Sequence, residues 1–182
     1  MMRSWKFWVA LGGVLGVVAM FSYGLMIDPK LVKSPLLDQP APTFTVTRLN
    51  GTETLSLADL RGKSVVLNFW ASWCVACREE ARVLQEAYLD LDKGKGQARV
   101  IGIAIQDTPE AAQAFATRYG KTYFLALDNK IGEISLNFGL YGVPETFFID
   151  LQGVIRFKKV GAVTRDEIYN YINQMTAMKE SR

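Results

Sequence analysis

The sequence contains no histidine and only two cysteines in its 182 residues. Without histidine, the commonest general base and the commonest metal ligand are both missing. One cysteine pair also excludes a disulfide framework, which needs several pairs in a short secreted chain. Charge is thinly spread: the formal net charge is +3. No basic stripe with interleaved aromatics supports nucleic-acid binding, and no internal repeat or low-complexity tract occurs. Apolar residues, by contrast, are plentiful. At 49% hydrophobic and 12% aromatic, the chain can build a real core and does not read as disordered. Its length allows one ordinary domain plus a short appendage.

Charge is absent altogether from Phe7 to Ile27, the run "FWVALGGVLGVVAMFSYGLMI". As a helix it would span about 30 Å, the thickness of a bilayer's hydrocarbon core. A cleaved signal peptide has a shorter apolar region, about 7–15 residues, and a buried soluble helix would not be apolar all round. The expectation is an uncleaved transmembrane anchor over residues 7–27. Arg3 and Lys6 precede it, which with the free amine favours a cytoplasmic segment at residues 1–6 and a domain outside the cytoplasm. Residues 28–42, with Pro29, Pro35, Pro40 and Pro42, read as an extended linker. The domain is expected over residues 43–182.

From Thr43 strand and helix signals alternate. "TFTVTRL" and "TETLSL" flank Asn50-Gly51, a favoured two-residue hairpin turn. "SVVLNFW" reads as a strand covered on both faces, and "ARVIGIAI" as a second. Between them Cys77, Ala81, Leu84, Tyr88 and Leu91 fall at helical spacing, with an expected stop in Lys93 to Gly96. Thr108 and Pro109 open the next helix, which Gly120 ends. "TYFLALD" is a strand, followed by a short helix near Ile131 to Phe138. "ETFFID" and "VIRFKKV" flank Leu151-Gln152-Gly153 as a hairpin, and Thr164 to Glu167 forms a capping box before a last helix. The order predicts an α/β fold, a mixed sheet flanked by helices.

Cys74 follows the first buried strand where a helix begins, and Cys77 lies one turn on. Residues three apart on a helical turn can bring their sulfurs to disulfide distance. The unpaired N–H groups and positive dipole end at the helix start stabilise a thiolate at Cys74. This spacing points to redox exchange: Cys74 attacks a disulfide and Cys77 resolves the mixed species. Structural zinc usually needs four ligands where only two thiols exist. Copper(I) held by two thiolates remains an alternative, although none of the six methionines lies near the motif. An inert disulfide would close an unusually small loop. Thiol exchange calls for no cofactor, and no metal site is expected.

"SVVLNFWASWCVAC" resembles the active-site strand and helix start of the thioredoxin superfamily. "YGVPETFFID" resembles its second landmark, a loop whose proline is cis and packs against the cysteines. "LSLADLRGKSVVLNFWASWC" and "GVPETF" are similar to the membrane-anchored cytochrome c biogenesis proteins of the DsbE/CcmG type. The resemblance covers about residues 36 to 176. It implies a thioredoxin-like fold and reduction of disulfides in apocytochrome c or a haem-attachment thiol protein. It also implies recharging by a transmembrane thiol reductant, at the periplasmic side of the inner membrane. Pro144 is then the cis proline after Val143, the two forming a substrate-binding loop, and Trp73 packs beside Cys74. Asn68 stands where cytoplasmic thioredoxins carry a buried acid. Glu145 and Glu79 are the remaining candidates for a proton-handling carboxylate, and Glu145 is expected near enough to Cys74 to oppose its thiolate. Val75 and Ala76 between the cysteines lack the proline of many relatives. The alternative functions are reduction of another extracytoplasmic target and copper(I) delivery.

Overall fold

The computed structural model describes residues 2–26, 34–94, 96 and 98–180. Residues 27–33, which end the expected anchor and begin the expected linker, lie outside the described residues. So do residues 1, 95, 97 and the last two of the domain. The chain divides into two units after Lys33.

The first unit is one helix, α1 (Met2–Met26). Its described side chains, Trp5 and residues 7–23, are all exposed. Among the described residues, no helix is long and apolar enough to cross a membrane.

The second unit is built on a five-stranded mixed sheet. Its strands are β3 (Ser64–Trp70), β4 (Ala98–Ala104), β5 (Phe124–Leu127), β6 (Glu145–Ile149) and β7 (Ile155–Val160). They run in the order β5-β4-β3-β6-β7. Strand β3 pairs in parallel with β4 and antiparallel with β6. Every residue of β3 is buried, as expected for a central strand covered on both faces.

Alternation along β3 divides the core. Val66 and Trp70 join the cluster containing α2 (Ala76–Ala87), α3 (Pro109–Arg118) and α5 (Arg165–Glu180). Val65, Leu67 and Phe69 point the other way, toward Phe44, Val46, Leu57, Leu60 and Phe138. That second layer holds the hairpin of β1 (Thr45–Thr47) and β2 (Thr54–Ser56), and the short α4 (Glu133–Asn137). By the same period of two, Thr146 and Phe148 of β6 face α2, while Glu145 and Phe147 face α4.

The helix signals correspond to real caps. The Thr108 hydroxyl accepts from the Ala111 N–H, with Pro109 at the first helical position. The Thr164 backbone N–H donates to Glu167 and the Glu167 N–H donates back to the Thr164 hydroxyl. Gly120, at φ +64, sits just past the end of α3, where the left-handed region suits a residue without a Cβ.

Two expectations are corrected and one is refined. The first hairpin does not turn on two residues. The Arg48 N–H donates to the Glu53 carbonyl, so four residues, Leu49 to Thr52, form the connection. The Leu49 N–H is drawn instead to the Leu125 carbonyl on β5. Helix α2 passes into a π-helical turn, Tyr88–Gly94, which keeps Leu91 buried. The described end of the expected linker is docked rather than free. Asp38 and Gln39 exchange backbone hydrogen bonds with Ile155, and the Ala41 N–H donates to Gly153. Arg156 bridges Asp38 and Asp150 at 2.8 and 2.7 Å, holding this segment along β7.

Candidate active site

Strand β3 delivers the chain to the cysteines, and the turn after it is clamped from β4. The Asp107 carboxylate accepts from the Ser72 N–H at 2.6 Å and from the Ser72 hydroxyl at 2.8 Å. The Trp73 indole N–H donates to the Gln106 carbonyl at 3.0 Å. Gln106 takes a φ of +48, an uncommon conformation for a residue with a side chain and one found at functional sites. Trp73 thus flanks Cys74 but remains 55% exposed, a surface ring rather than core filler.

Cys74 and Cys77 form a disulfide with a Cα–Cα separation of 5.3 Å. Cys74 is 4% exposed and Cys77 1%, so both residues are nearly buried. Val75 is the N-cap of α2 and supplies no side-chain acceptor. The N–H groups of the first turn therefore have no competing cap, and that of Cys77 points at the Cys74 sulfur at 3.1 Å. This arrangement stabilises a thiolate at Cys74 when the pair is reduced.

Across the cleft, the Val143–Pro144 peptide is cis. The Val143 carbonyl oxygen lies 3.5 Å from the Cys74 sulfur. A groove of about 320 Å³ continues from this contact, lined by Trp73, Gln106, Leu136, Tyr141 and Val143. The structure thus gathers Trp73, Cys74, Cys77, Val143 and Pro144 at one end of the sheet.

Glu145 does not join them. Its carboxylate is buried on the opposite face of the sheet, accepting from the Tyr141 and Gly142 N–H groups at 2.8 and 3.3 Å. Its other oxygen lies 2.8 Å from the Lys158 ammonium. Glu145 anchors the loop leading to Pro144 and spends its charge on Lys158. Glu79, the other candidate, is exposed on α2.

The buried carboxylate on the inner face of α2 is Glu80, which the sequence reading passed over. It is 1% exposed and accepts from the Asn68 amide at 2.7 Å and the Val163 N–H at 3.0 Å. Burial pushes its acid up to about 7, against the opposing pull of those hydrogen bonds and of Lys121. A signal existed: position 80 is three after Cys77 and four before Leu84, within the apolar stripe. Asn68, which the resemblance sets where cytoplasmic thioredoxins carry a buried acid, holds the Glu80 carboxylate of the adjacent helix. Among the described residues, no group of three or more cysteine or acidic side chains converges as a metal site.

A redox disulfide at a helix start, set against a cis-proline loop at the end of a central strand, defines a thioredoxin-fold thiol–disulfide oxidoreductase. Similarity to known proteins narrows the class. The model of the AhpC/TSA family matches residues 37–158. A thiol:disulfide interchange protein DsbE from Pseudomonas fluorescens biotype C is 40% identical over 172 residues, covering 92% of this chain and 93% of that protein. The DsbE of Escherichia coli K12 is 36% identical over 136 residues, 74% of this chain and 70% of its own. Among solved structures, a DsbF homologue from Corynebacterium diphtheriae has a TM-score of 0.66 at 29% identity, covering 75% of this chain and 86% of that one. The chain belongs to the AhpC/TSA family, alongside the DsbE thiol:disulfide interchange proteins.

Proposed function

We propose that this protein is a membrane-anchored periplasmic reductant in c-type cytochrome maturation. Its target is a disulfide in apocytochrome c or in a haem-attachment thiol protein. The carrying observation is the asymmetry of the thiol pair. Cys74 meets the Val143 carbonyl beside the groove, while Cys77 lies on the buried face of α2.

In the reduced protein the Cys74 thiolate attacks one sulfur of the target and displaces the other as a thiolate. Val143 and Pro144 line the approach and the Trp73 ring borders it. Cys77 then attacks the Cys74 sulfur, releasing the second target thiol and leaving the internal disulfide seen here. The proton that Cys77 loses leaves as it attacks. A transmembrane thiol reductant returns two electrons and two protons to the pair. Glu145 serves this chemistry indirectly, by positioning the proline loop.

The anchor rests on the charge-free run Phe7 to Ile27 and on the exposed aromatic and aliphatic side chains of α1. Such continuous apolar exposure calls for a lipid or protein covering.

Replacing Cys77 by Ser should accumulate mixed disulfides through Cys74, and Cys74→Ser should trap far less. Non-reducing gels of whole cells, followed by identification of the trapped proteins, read this out. Equal trapping by both variants would remove the division of labour, and trapped proteins unrelated to cytochrome assembly would move the function to another target.

A further inference from the structure

Lys158 sits on the last strand of the sheet, yet its charge is turned away from the water beside it. Its side chain is 5% exposed, although β7 is an edge strand. Such burial is uncommon for a lysine unless the charge is matched. Lys159, the next residue, turns to the opposite face and pairs with Glu167 of α5, both side chains being part-exposed. The period of two thus separates a lysine paired near the surface from one enclosed in the fold.

Register explains which groups enclose it. Lys158 stands opposite Phe147 of β6, so Glu145, two residues back on the same face, is its diagonal neighbour. The Lys158 ammonium lies 2.8 Å from the Glu145 carboxylate and donates to the Gly139 carbonyl at 3.2 Å. It also lies 4.6 Å from the centre of the Tyr141 ring and 5.0 Å from that of Phe147, both within cation–π range. The ammonium therefore touches the segment between α4 and β6 directly, at Gly139 and Tyr141. It reaches the same segment again through Glu145, which accepts from the Tyr141 and Gly142 N–H groups.

That segment has little else to hold it. Gly139 follows α4 in the left-handed region, at φ +56, where glycine is at ease but imposes no rigidity. Tyr141 is 68% exposed, so its ring gains little anchorage from the core. Yet Leu140, Tyr141, Gly142 and Val143 together line the groove beside the cysteines, and the Val143 carbonyl lies 3.5 Å from the Cys74 sulfur. One wall of the groove is thus irregular backbone tied from behind to Lys158 and Glu145.

We propose that Lys158 is a positioning residue for substrate recognition: its buried ammonium clamps the Gly139–Gly142 wall of the groove, so that a polypeptide disulfide is held in line with Cys74. A small disulfide reaches the sulfur without that wall. The inference rests on exchange at Cys74 and is independent of the physiological target. No electron or proton passes through Lys158; its contribution is geometric.

Two disulfides separate recognition from chemistry. Reduced full-length protein in detergent is reacted with neutral dithiodipyridine, read by thiopyridone release. In parallel it is reacted with a peptide carrying an oxidised Cys-x-x-Cys pair, read by mass spectrometry after acid quenching. Lys158→Met should lower the second-order rate constant for the peptide by about 10- to 100-fold, the scale of loss when a positioning group is misplaced by an ångström. The rate constant for dithiodipyridine should stay at the wild-type value. Lys159→Met removes the same charge from the other face and should change neither rate. Equal losses for both disulfides in Lys158→Met would overturn the proposal, since the residue would then support the fold or Cys74 itself. An unchanged peptide rate would overturn it too, as would a matching loss in Lys159→Met. If Lys158→Met fails to fold, Lys158→Met combined with Glu145→Gln decides, because that pair of changes leaves no unpaired charge buried. The same selective loss is expected there, and a wild-type peptide rate would refute the clamp. Wild-type protein that reduces neither disulfide would sink the exchange mechanism itself, and the proposal with it.

Discussion

Glu145 and Glu80 show what a single position in a strand or helix decides. Glu145 is adjacent to Pro144 in sequence, yet the period of two turns its side chain away from the cysteines. Glu80 is six residues beyond Cys74, yet the helical period turns it inward. The cysteine pair and the proline were legible because each announces its own chemistry. Glu80 was not, because charged residues are so rarely buried that a glutamate between Glu79 and Ala81 reads as surface. Its justification comes from Asn68, Lys121 and Val163, partners distant in sequence. Glu145 has its own consequence. Glu145→Gln should leave the Lys158 ammonium, whose side chain is 5% exposed, without its carboxylate. Breaking a buried pair from one side costs about 3–5 kcal/mol. Chemical denaturation should therefore register a large loss, while the Cys74 thiolate absorbance titration stays near wild type. A titration displaced by the same substitution would show that the sheet does not insulate the two groups.

At the scale of elements, signals carried by the chain itself were readable in advance. The apolar run of β3, the Thr108 cap with Pro109, the Thr164 capping box and the glycine after α3 all depend on neighbouring residues. The width of the β1–β2 turn, the π-helical turn after α2 and the docking of Asp38 to Ala41 on β7 depend on contacts made elsewhere. In the first case β5 competes for Leu49; in the last, Arg156 recruits Asp38. No local pattern encodes either. The α5 cap offers a direct check on a local signal. Thr164→Ala removes the acceptor for the Glu167 N–H, which lies 3.3 Å away. The loss should be about 1 kcal/mol, seen as a lower denaturation midpoint with an unchanged slope. An unaltered midpoint would mean that packing of Ile168, Ile172 and Met175 alone holds the helix.

On the proposed function, the whole molecule must solve a problem of selectivity. A reductant placed in an oxidising compartment would undo structural disulfides if it met them freely. The proposed anchor answers this by confinement, keeping the thiols beside a membrane reductant and the haem-attachment machinery. The site adds a second restriction. Both cysteines are nearly buried, which restricts the targets that can present a disulfide to Cys74. Loss of the gene should then lower covalent c-type cytochromes while most secreted disulfide proteins remain oxidised. A small external thiol should partly restore the cytochromes, because it reduces the same disulfide without needing the groove. The full-length chain should partition with membranes, and a chain beginning at Leu36 should be soluble and still exchange disulfides in vitro. Haem-stained gels of the deletion strain carrying each version measure the physiological part. Normal cytochromes with failed copper-oxidase assembly would assign the protein to another extracytoplasmic target. Full cytochrome maturation by a Cys74→Ser protein would show that thiol exchange is not its role there.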